Sequence, residues 1–263
     1  MTRRLALVGL GPGDPELVTA QAARVLNEVD YFLVADKTEQ HPGTADLIAM
    51  REAICARHVR KKRRLVSVPD PERDRTDPPD YEGAVRTWHE ARAVRWEQTL
   101  LDHPGDAAIL VWGDPTLYDS AIRLAHRIVE RGVVDVEVEV VPGLSSVQLL
   151  AARHGLVLNT IGGSITITTG RRLLEDAAAG GDNLLVMLDG TLTCRRLPDP
   201  AGWRIWWGAN LGSAHEQLVA GDLDRVADEI WARRALARQA CGWVMDTYLL
   251  RRGGVSREPA DPG

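Results

Sequence analysis

The chain is short of cysteine, of phenylalanine and of long apolar runs, and these shortages exclude several classes of protein. Its three cysteines, Cys55, Cys194 and Cys241, are odd in number and widely spaced. A disulfide framework is therefore excluded, and a reduced, cytoplasmic protein is expected. No stretch approaches the ~20 apolar residues of a membrane-spanning helix. The opening MTRRLALVGLGPGD turns glycine-rich too early for a signal peptide, so none is expected. Cys55 and His58 have a metal-like spacing, but no second pair accompanies them, and structural zinc takes four ligands. No metal is expected. PGLSS (142–146) lacks the flanking glycines of a nucleophile elbow. A net charge of −5 argues against wholesale nucleic-acid binding. One phenylalanine against eight tryptophans has no physical explanation in the sequence.

What remains is an ordinary globular composition, 44% apolar and 26% charged over 263 residues, with room for one large or two modest domains. Up to about residue 141, short β-like runs alternate with helical ones. LALVG (5–9), YFLVA (31–35), LVSV (65–68), AAILVWG (107–113) and VEVEVV (136–141) are expected as strands. Residues 16–29, 84–101 and 120–131 are expected as helices, the last ending at Gly132. That alternation predicts a mostly parallel sheet covered by helices. Beyond Pro142 the strands ITITT (165–169), LLVML (184–188), RIWWG (204–208), QLVAG (217–221) and WVMDTYLL (243–250) come with helices only at 145–154 and 224–240. A mixed sheet is expected there. The expected organisation is an α/β domain over 1–144, a second α/β domain over 145–251 and a disordered tail over 252–263. Part of the proline-rich, charged segment 61–83 is expected as a surface loop.

Three strands run into glycine turns. In VGLGPGDPELVT (8–19), Gly9, Gly11 and Gly13 alternate, with Asp14 as the expected N-cap and Pro15 at the first helical position. The dinucleotide fingerprint would need its third glycine at position 14, where an aspartate stands. A carboxylate at a helix N-terminus occupies the place of a phosphate, and no Walker lysine follows. The ligand expected at this loop is not a phosphate. VWGDPTLYDS (111–120) repeats the Gly-Asp-Pro turn, and VVPGLSS (140–146) ends a third strand before two hydroxyls. Each turn alone can be a plain connector. Three in this order, at the carboxyl ends of parallel strands, point to one crevice.

With FLVADK (32–37) and LLVMLDG (184–190), these motifs resemble the tetrapyrrole methylases, which use S-adenosyl-L-methionine, and the resemblance spans roughly residues 3 to 251. It implies two α/β domains of the class III methyltransferase kind with the cofactor in the cleft between them. Cofactor contacts implied residue by residue are Pro12, Pro15, Trp112, Gly113, Asp114 and Leu117, then Ser145, Ser146, Met187 and Gly212, most of them through backbone groups. Trp112 stands where relatives often carry glycine. Within the family, VWGDPTLYDS, LNTIGGSITITTGRRL (158–173), IWWGANLGSAHEQLVAG (205–221) and GWVMDTYLLRR (242–252) are similar to the branch that methylates precorrin-5 at C-1 and releases its acetyl group as acetate, in cobalamin and porphyrin biosynthesis.

That chemistry needs a base for water and help for the carbonyl oxygen. Candidates for the base are Asp36, Tyr118, Asp119 and His89, with Lys37 beside Asp36 to steady an oxyanion or a substrate carboxylate. Asp36 can equally be a cap or a solvated turn residue, Tyr118 can be packed, and His89 suits a surface position. A tetrapyrrole carries many carboxylates, and Arg171 and Arg172, after ITITT and Gly170, are the candidate partners; ordinary surface arginines are the alternative. The basic run HVRKKRR (58–64) fits a solvated face better than an anion-steering patch. The resemblance also implies a homodimer with a small-molecule substrate and no nucleic-acid or membrane partner. Two alternatives stay open: methylation at another tetrapyrrole carbon, and a non-catalytic ligand-binding domain of the same fold.

Overall fold

The computed structural model describes residues 2–36, 45–71 and 81–253. The chain divides into two units, Met1–Ser145 and Ser146–Gly263. The first runs β1 (Arg3–Gly9), α1 (Ala20–Glu28), β2 (Tyr31–Asp36), α2 (Ala45–His58), β3 (Arg64–Pro69), α3 (Tyr81–Asp102), β4 (Ala107–Val111), α4 (Ala121–Arg131) and β5 (Val136–Val141). Its five strands are all parallel, in the order β3-β2-β4-β1-β5. β4 is buried at every position because helices cover both faces of the sheet. Alternate residues serve the two layers. Leu5, Leu7, Leu33 and Ile109 meet Trp96, Leu100, Leu124 and Ile128 of α3 and α4. Ala6, Val8, Phe32 and Leu110 meet Val25, Leu26 and Ile54 of α1 and α2. Each such leucine or isoleucine contributes roughly 1.5–3 kcal/mol by its burial.

Strand register sets up the functional edge. Gly9 pairs with Val111 and Val8 with Val141, so β1, β4 and β5 end level with one another. The helix expected from residue 16 starts later. Asp14 caps only a short 3-10 turn, Pro15–Leu17, by accepting from the Glu16 N–H at 2.9 Å. Val18 is extended, and Thr19 caps α1 by accepting from the Ala22 N–H at 3.0 Å. α4 closes as expected, with Gly132 left-handed (φ 66°) and its N–H donated to Ile128 and Val129. The helix α2 was not expected; only Ile54 on it is fully buried among the described side chains, which leaves little apolar periodicity to read.

The second unit runs α5 (Ser146–His154), β6 (Thr166–Thr169), α6 (Leu173–Ala178), β7 (Asn183–Met187), β8 (Trp203–Ala209), β9 (Gln217–Asp222), α7 (Leu223–Cys241) and β10 (Asp246–Arg252). Its sheet has the order β6-β7-β10-β8-β9, with β6 parallel to β7 and every other pair antiparallel. This is the mixed sheet expected. Trp203, Trp207 and Tyr248 fill the core beside Leu184 and Val186. β10 begins three residues later than expected, because Gly242 ends α7 in the left-handed region and Asn210 takes the Met245 N–H through its side-chain oxygen. It runs through Arg252, into the stretch expected as tail; residues 254–263 lie outside the described residues. So do residues 72–80 of the expected surface loop, whose flanks form β3 and α3.

Candidate active site

The three glycine turns of the first unit meet. Gly11 and Gly113 form an antiparallel bridge, with the Gly113 N–H donating to the Gly11 carbonyl at 2.8 Å. A Cβ on Gly9 would stand 2.5 Å from the Gly143 nitrogen and 2.8 Å from the Gly113 oxygen. A Cβ on Gly143 would collide with the Gly113 oxygen and stand 2.8 Å from the Gly9 backbone. Only hydrogen fits at either position. Gly113 is glycine for a second reason, its left-handed φ of 66°.

Asp114 ties the second turn to the third. Its Oδ2 accepts from the Gly143 N–H at 2.9 Å, and its Oδ1 accepts from the Thr116 N–H at 2.8 Å and from the Thr116 hydroxyl. Burial alone would raise its pKa, but the hydrogen bonds from Thr116 and Gly143 outweigh burial, and the carboxyl lies below its ordinary range. Asp114 is therefore occupied with protein groups. What this edge offers a ligand is backbone and a narrow, glycine-lined approach. Asp14 places a carboxylate in the same loop, which suits a ligand without phosphates.

The other expected cofactor residues divide between the units. Pro12 lies half-buried between Gly11 and Gly13, Pro15 starts the 3-10 turn, and Leu117 donates its N–H to the Asp114 carbonyl at 3.2 Å. Trp112 packs against the α1–α2 layer, and the Arg51 guanidinium lies over its ring at 5.0 Å. Ser145 is buried at the end of the first unit. Ser146, Met187 and Gly212 belong to the second: Ser146 opens α5, Met187 ends β7, and Gly212 (φ 78°) donates its N–H to Glu216 at 2.8 Å.

Among the candidate bases, Tyr118 carries a left-handed backbone (φ 52°) and is 43% exposed, directly after the second glycine turn. A bulky residue held there costs of order 1–3 kcal/mol, and such strain gathers at sites where a side chain must be aimed. Asp119 uses Oδ1 to accept from the Ala121 N–H at 2.6 Å at the start of α4. Asp36 ends β2, and from the pairing of Leu33 with Ile109 it emerges level with Trp112; its side chain, like the whole of Lys37, lies outside the described residues. His89 stands edge-on to Trp88 on α3, with ring centres 4.9 Å apart.

Arg171 and Arg172 are exposed on the second unit, and Arg172 pairs locally with Glu175 and Asp176 at 3.5 and 3.2 Å. In the basic run, Arg60, Lys61, Lys62 and Arg64 are exposed. His58 donates from Nε2 to the Pro15 carbonyl at 2.7 Å, and Cys55 packs against the apolar layer.

A second arrangement joins residues of two motifs that the sequence did not connect. Asp189, after β7, is buried and accepts from the Thr193 N–H (2.6 Å) and hydroxyl (2.9 Å) and from the Tyr248 hydroxyl (2.5 Å). Nearby, Arg234 and Asp246 form a buried ion pair at 2.9 Å, and Asp246 also accepts from Trp207 Nε1. Burial, with Cys194 and Asp189 alongside, raises the Tyr248 pKa well above its ordinary value, so the hydroxyl stays a donor. Burial also pushes the Cys194 thiol up to about 12. Leu188, between Met187 and this network, is left-handed (φ 53°) and 65% exposed.

Comparison with known proteins gives this geometry a context. The Tetrapyrrole (Corrin/Porphyrin) Methylases profile matches residues 4–227. A precorrin-6A synthase [deacetylating] from Sinorhizobium sp is 42% identical over 255 residues, covering 95% of this chain and 96% of that protein. The crystal structure of a putative cobalamin synthesis related protein (CobF) from Corynebacterium diphtheriae matches with a TM-score of 0.81 and 34% identity, over 96% of this chain and 99% of that one. A uroporphyrin-III C-methyl transferase from Thermus thermophilus, complexed with S-adenosyl homocysteine, shares the fold at a TM-score of 0.59 and 21% identity, over 94% and 97% of the two chains. With a family profile spanning most of its length and relatives matched nearly end to end, the chain belongs to the tetrapyrrole methylases.

Proposed function

We propose that this chain is the S-adenosyl-L-methionine-dependent enzyme that converts precorrin-5 to precorrin-6A in cobalamin biosynthesis. One methyl is added at C-1, one water is consumed, and the acetyl group leaves as acetate. The observation that carries this reading is the 42% identity, over almost the whole of both chains, to the precorrin-6A synthase of Sinorhizobium. The glycine turns support it: two positions where only hydrogen fits and a committed Asp114 make a backbone cradle, with an acid where a phosphate would sit.

The cofactor supplies a methyl group on a sulfonium, open to attack by a carbon nucleophile. The protein's part is to hold carbon and methyl in line, which a rigid backbone cradle does well. In this reading Pro12, Pro15, Gly113 and Leu117 offer the cofactor their backbone. Ser145, Ser146, Met187 and Gly212 complete its contacts, and Asp114 acts by fixing the turn. Deacetylation requires a base for water; Asp36 and Asp119 are the carboxylates assigned to it, with Tyr118 and Lys37 as donors to the carbonyl oxygen. Arg171 and Arg172 are assigned to substrate carboxylates, which for Arg172 requires release from Glu175 and Asp176. The reading extends to a cytoplasmic homodimer. Three free cysteines suit a reducing compartment, no described helix is long and apolar enough to cross a membrane, and light scattering at twice the chain mass would bear out the dimer.

The test is incubation of the pure protein with precorrin-5 and S-adenosyl-L-methionine, followed by mass spectrometry and acetate analysis. Loss of acetyl, gain of one methyl, and acetate equal to S-adenosyl-L-homocysteine are expected. Methylation without acetate would move the chemistry to another carbon. No turnover of intact substrate would leave a ligand-binding domain.

A further inference from the structure

Among the described residues, the fully buried arginines are paired. Arg92 bonds Asp70 and Ser120, each at 2.8 Å, and Arg234 bonds Asp246 at 2.9 Å. Arg131, less buried, takes both oxygens of the buried Glu97 at 2.8 Å. Nε is left over in Arg3, Arg4 and Arg63, but another guanidinium nitrogen of each is bonded.

Arg51 breaks the pattern. It sits midway along α2, partly buried, with a buried Nε that has no partner, and no described carboxylate pairs with it. Burial lowers its pKa, opposed only by the Cys55 thiol. An arginine stays charged regardless, so the shift registers a partly desolvated cation with no carboxylate partner among the described residues. Its one strong contact is the Trp112 ring. A cation–π contact offsets part of the cost of burying the guanidinium stem and leaves its hydrogen-bonding groups unused. Trp112 itself has a buried, unpartnered Nε1.

The place matters as much as the missing partner. Trp112 joins β4 to the second glycine turn, so the stack brings a cation to the carboxyl edge of the first sheet. With one flat face on the indole, the guanidinium keeps its edge N–H groups for a planar, two-oxygen acceptor. We infer that Arg51, stacked on Trp112, binds a carboxylate of a ligand seated at the glycine turns. This rests on the functional reading above, which offers two carboxylate sources: the acid side chains of the tetrapyrrole and the amino-acid end of the cofactor. Arg51 then selects for an acidic group at that position of the ligand, and Trp112 sets the plane in which it is met.

Equilibrium binding, followed by tryptophan fluorescence, keeps this inference apart from the proposed activity. Kd values for precorrin-5 and for S-adenosyl-L-homocysteine are measured with wild type and with Arg51→Met. A rise of about tenfold or more in one of the two, the other unchanged, is expected, since a charged hydrogen-bonding group is worth at least ~1.4 kcal/mol. A rise for precorrin-5 identifies the tetrapyrrole as the source; a rise for the homocysteine product identifies the cofactor. Melting of Arg51→Met at or near the wild-type temperature is expected alongside, because the variant exchanges a partly desolvated charge without a carboxylate partner for an apolar side chain of similar length. Unchanged affinity for both ligands would overturn the inference, and a lower melting temperature with it would make Arg51 a packing residue. Should Arg51→Met fail to fold, Arg51→Lys keeps the charge without the planar fork. A smaller rise in the same Kd is then expected, and no rise overturns the inference. Wild type that binds precorrin-5 without turning it over would remove the proposed activity while leaving Arg51 tested.

Discussion

The two units each present a turn at the end of a buried strand, and they build it from opposite materials. At the ends of β1, β4 and β5 the structure is backbone on backbone: Gly9, Gly113 and Gly143 touch, and the Asp114 side chain ties the second turn to the third. At the end of β7 the turn is built of side chains, with Asp189 held by Thr193 and Tyr248 beside the buried Arg234–Asp246 pair. Gly170 reflects the same difference. It is glycine because a Cβ there would stand 2.5 Å from the Asp189 carboxylate, not from backbone. A backbone turn leaves peptide groups facing a ligand; a side-chain turn consumes its polar groups internally. The first is suited to binding and the second to holding shape.

The largest effect expected from breaking this contrast is at Gly143. Gly143→Ala puts a methyl against the Gly113 carbonyl and the Gly9 backbone, neither of which can rotate away as a side chain would. A loss of ~3 kcal/mol or more in denaturant unfolding is expected, at the upper end of overpacking costs. Binding of S-adenosyl-L-homocysteine should be lost with it. A variant that folds and binds like wild type would show that the three turns are not one site.

Next in size is Tyr248→Phe, which tests the other half. The phenyl ring still fills the core, but the buried Asp189 carboxylate loses its Tyr248 donor. A cost of ~2 kcal/mol is expected, since a hydrogen bond to a charged group is worth 1.5–3 kcal/mol. Affinity for S-adenosyl-L-homocysteine should stay near wild type in the protein that remains folded. A large loss of affinity without a loss of stability would reverse the roles given to the two turns.

The same difference in material governs what the sequence discloses. A glycine required by close backbone contact leaves a mark, and the three turns, the parallel sheet of the first unit and the mixed sheet of the second could all be read from strand patterns and Gly-Asp-Pro or Pro-Gly punctuation. The contacts among Asp189, Tyr248 and Arg234 leave none, because partners 45 to 59 residues apart become neighbours only through the pairing of β7 with β10 and the packing of α7. Arg51 was missed for the same reason. Nothing local distinguishes it in MREAICARH; its position over Trp112 is a product of the fold. The late start of α1 has a local cause, since Asp14-Pro15 starts a helix well but the extended Val18 stops it after one turn, and Thr19 starts another.

The smallest effect is the most specific to the backbone site, because it titrates the side chain that pins it. Asp114 has a depressed pKa in the folded protein, so folding favours its ionised form. Its contribution is then fully present above the unfolded pKa of ~3.9 and is lost as pH falls through the folded value. Asp114→Asn keeps the size of the side chain and removes the charge. Its stability deficit should be full at neutral pH, should shrink as pH drops below about 4, where Asp114 of the unfolded chain takes up a proton, and should reach its floor once pH passes the lower folded value and wild-type Asp114 is neutral too. Paired denaturant unfolding curves for wild type and Asp114→Asn across that range would show the two converging. A deficit independent of pH would mean that Asp114 holds the turn by shape alone. The hydrogen bonds from Gly143 and Thr116 argue otherwise: they favour a carboxylate over the neutral acid, and the bond from Gly143 ties the second turn to the third, while the Gly11–Gly113 backbone bridge joins the first.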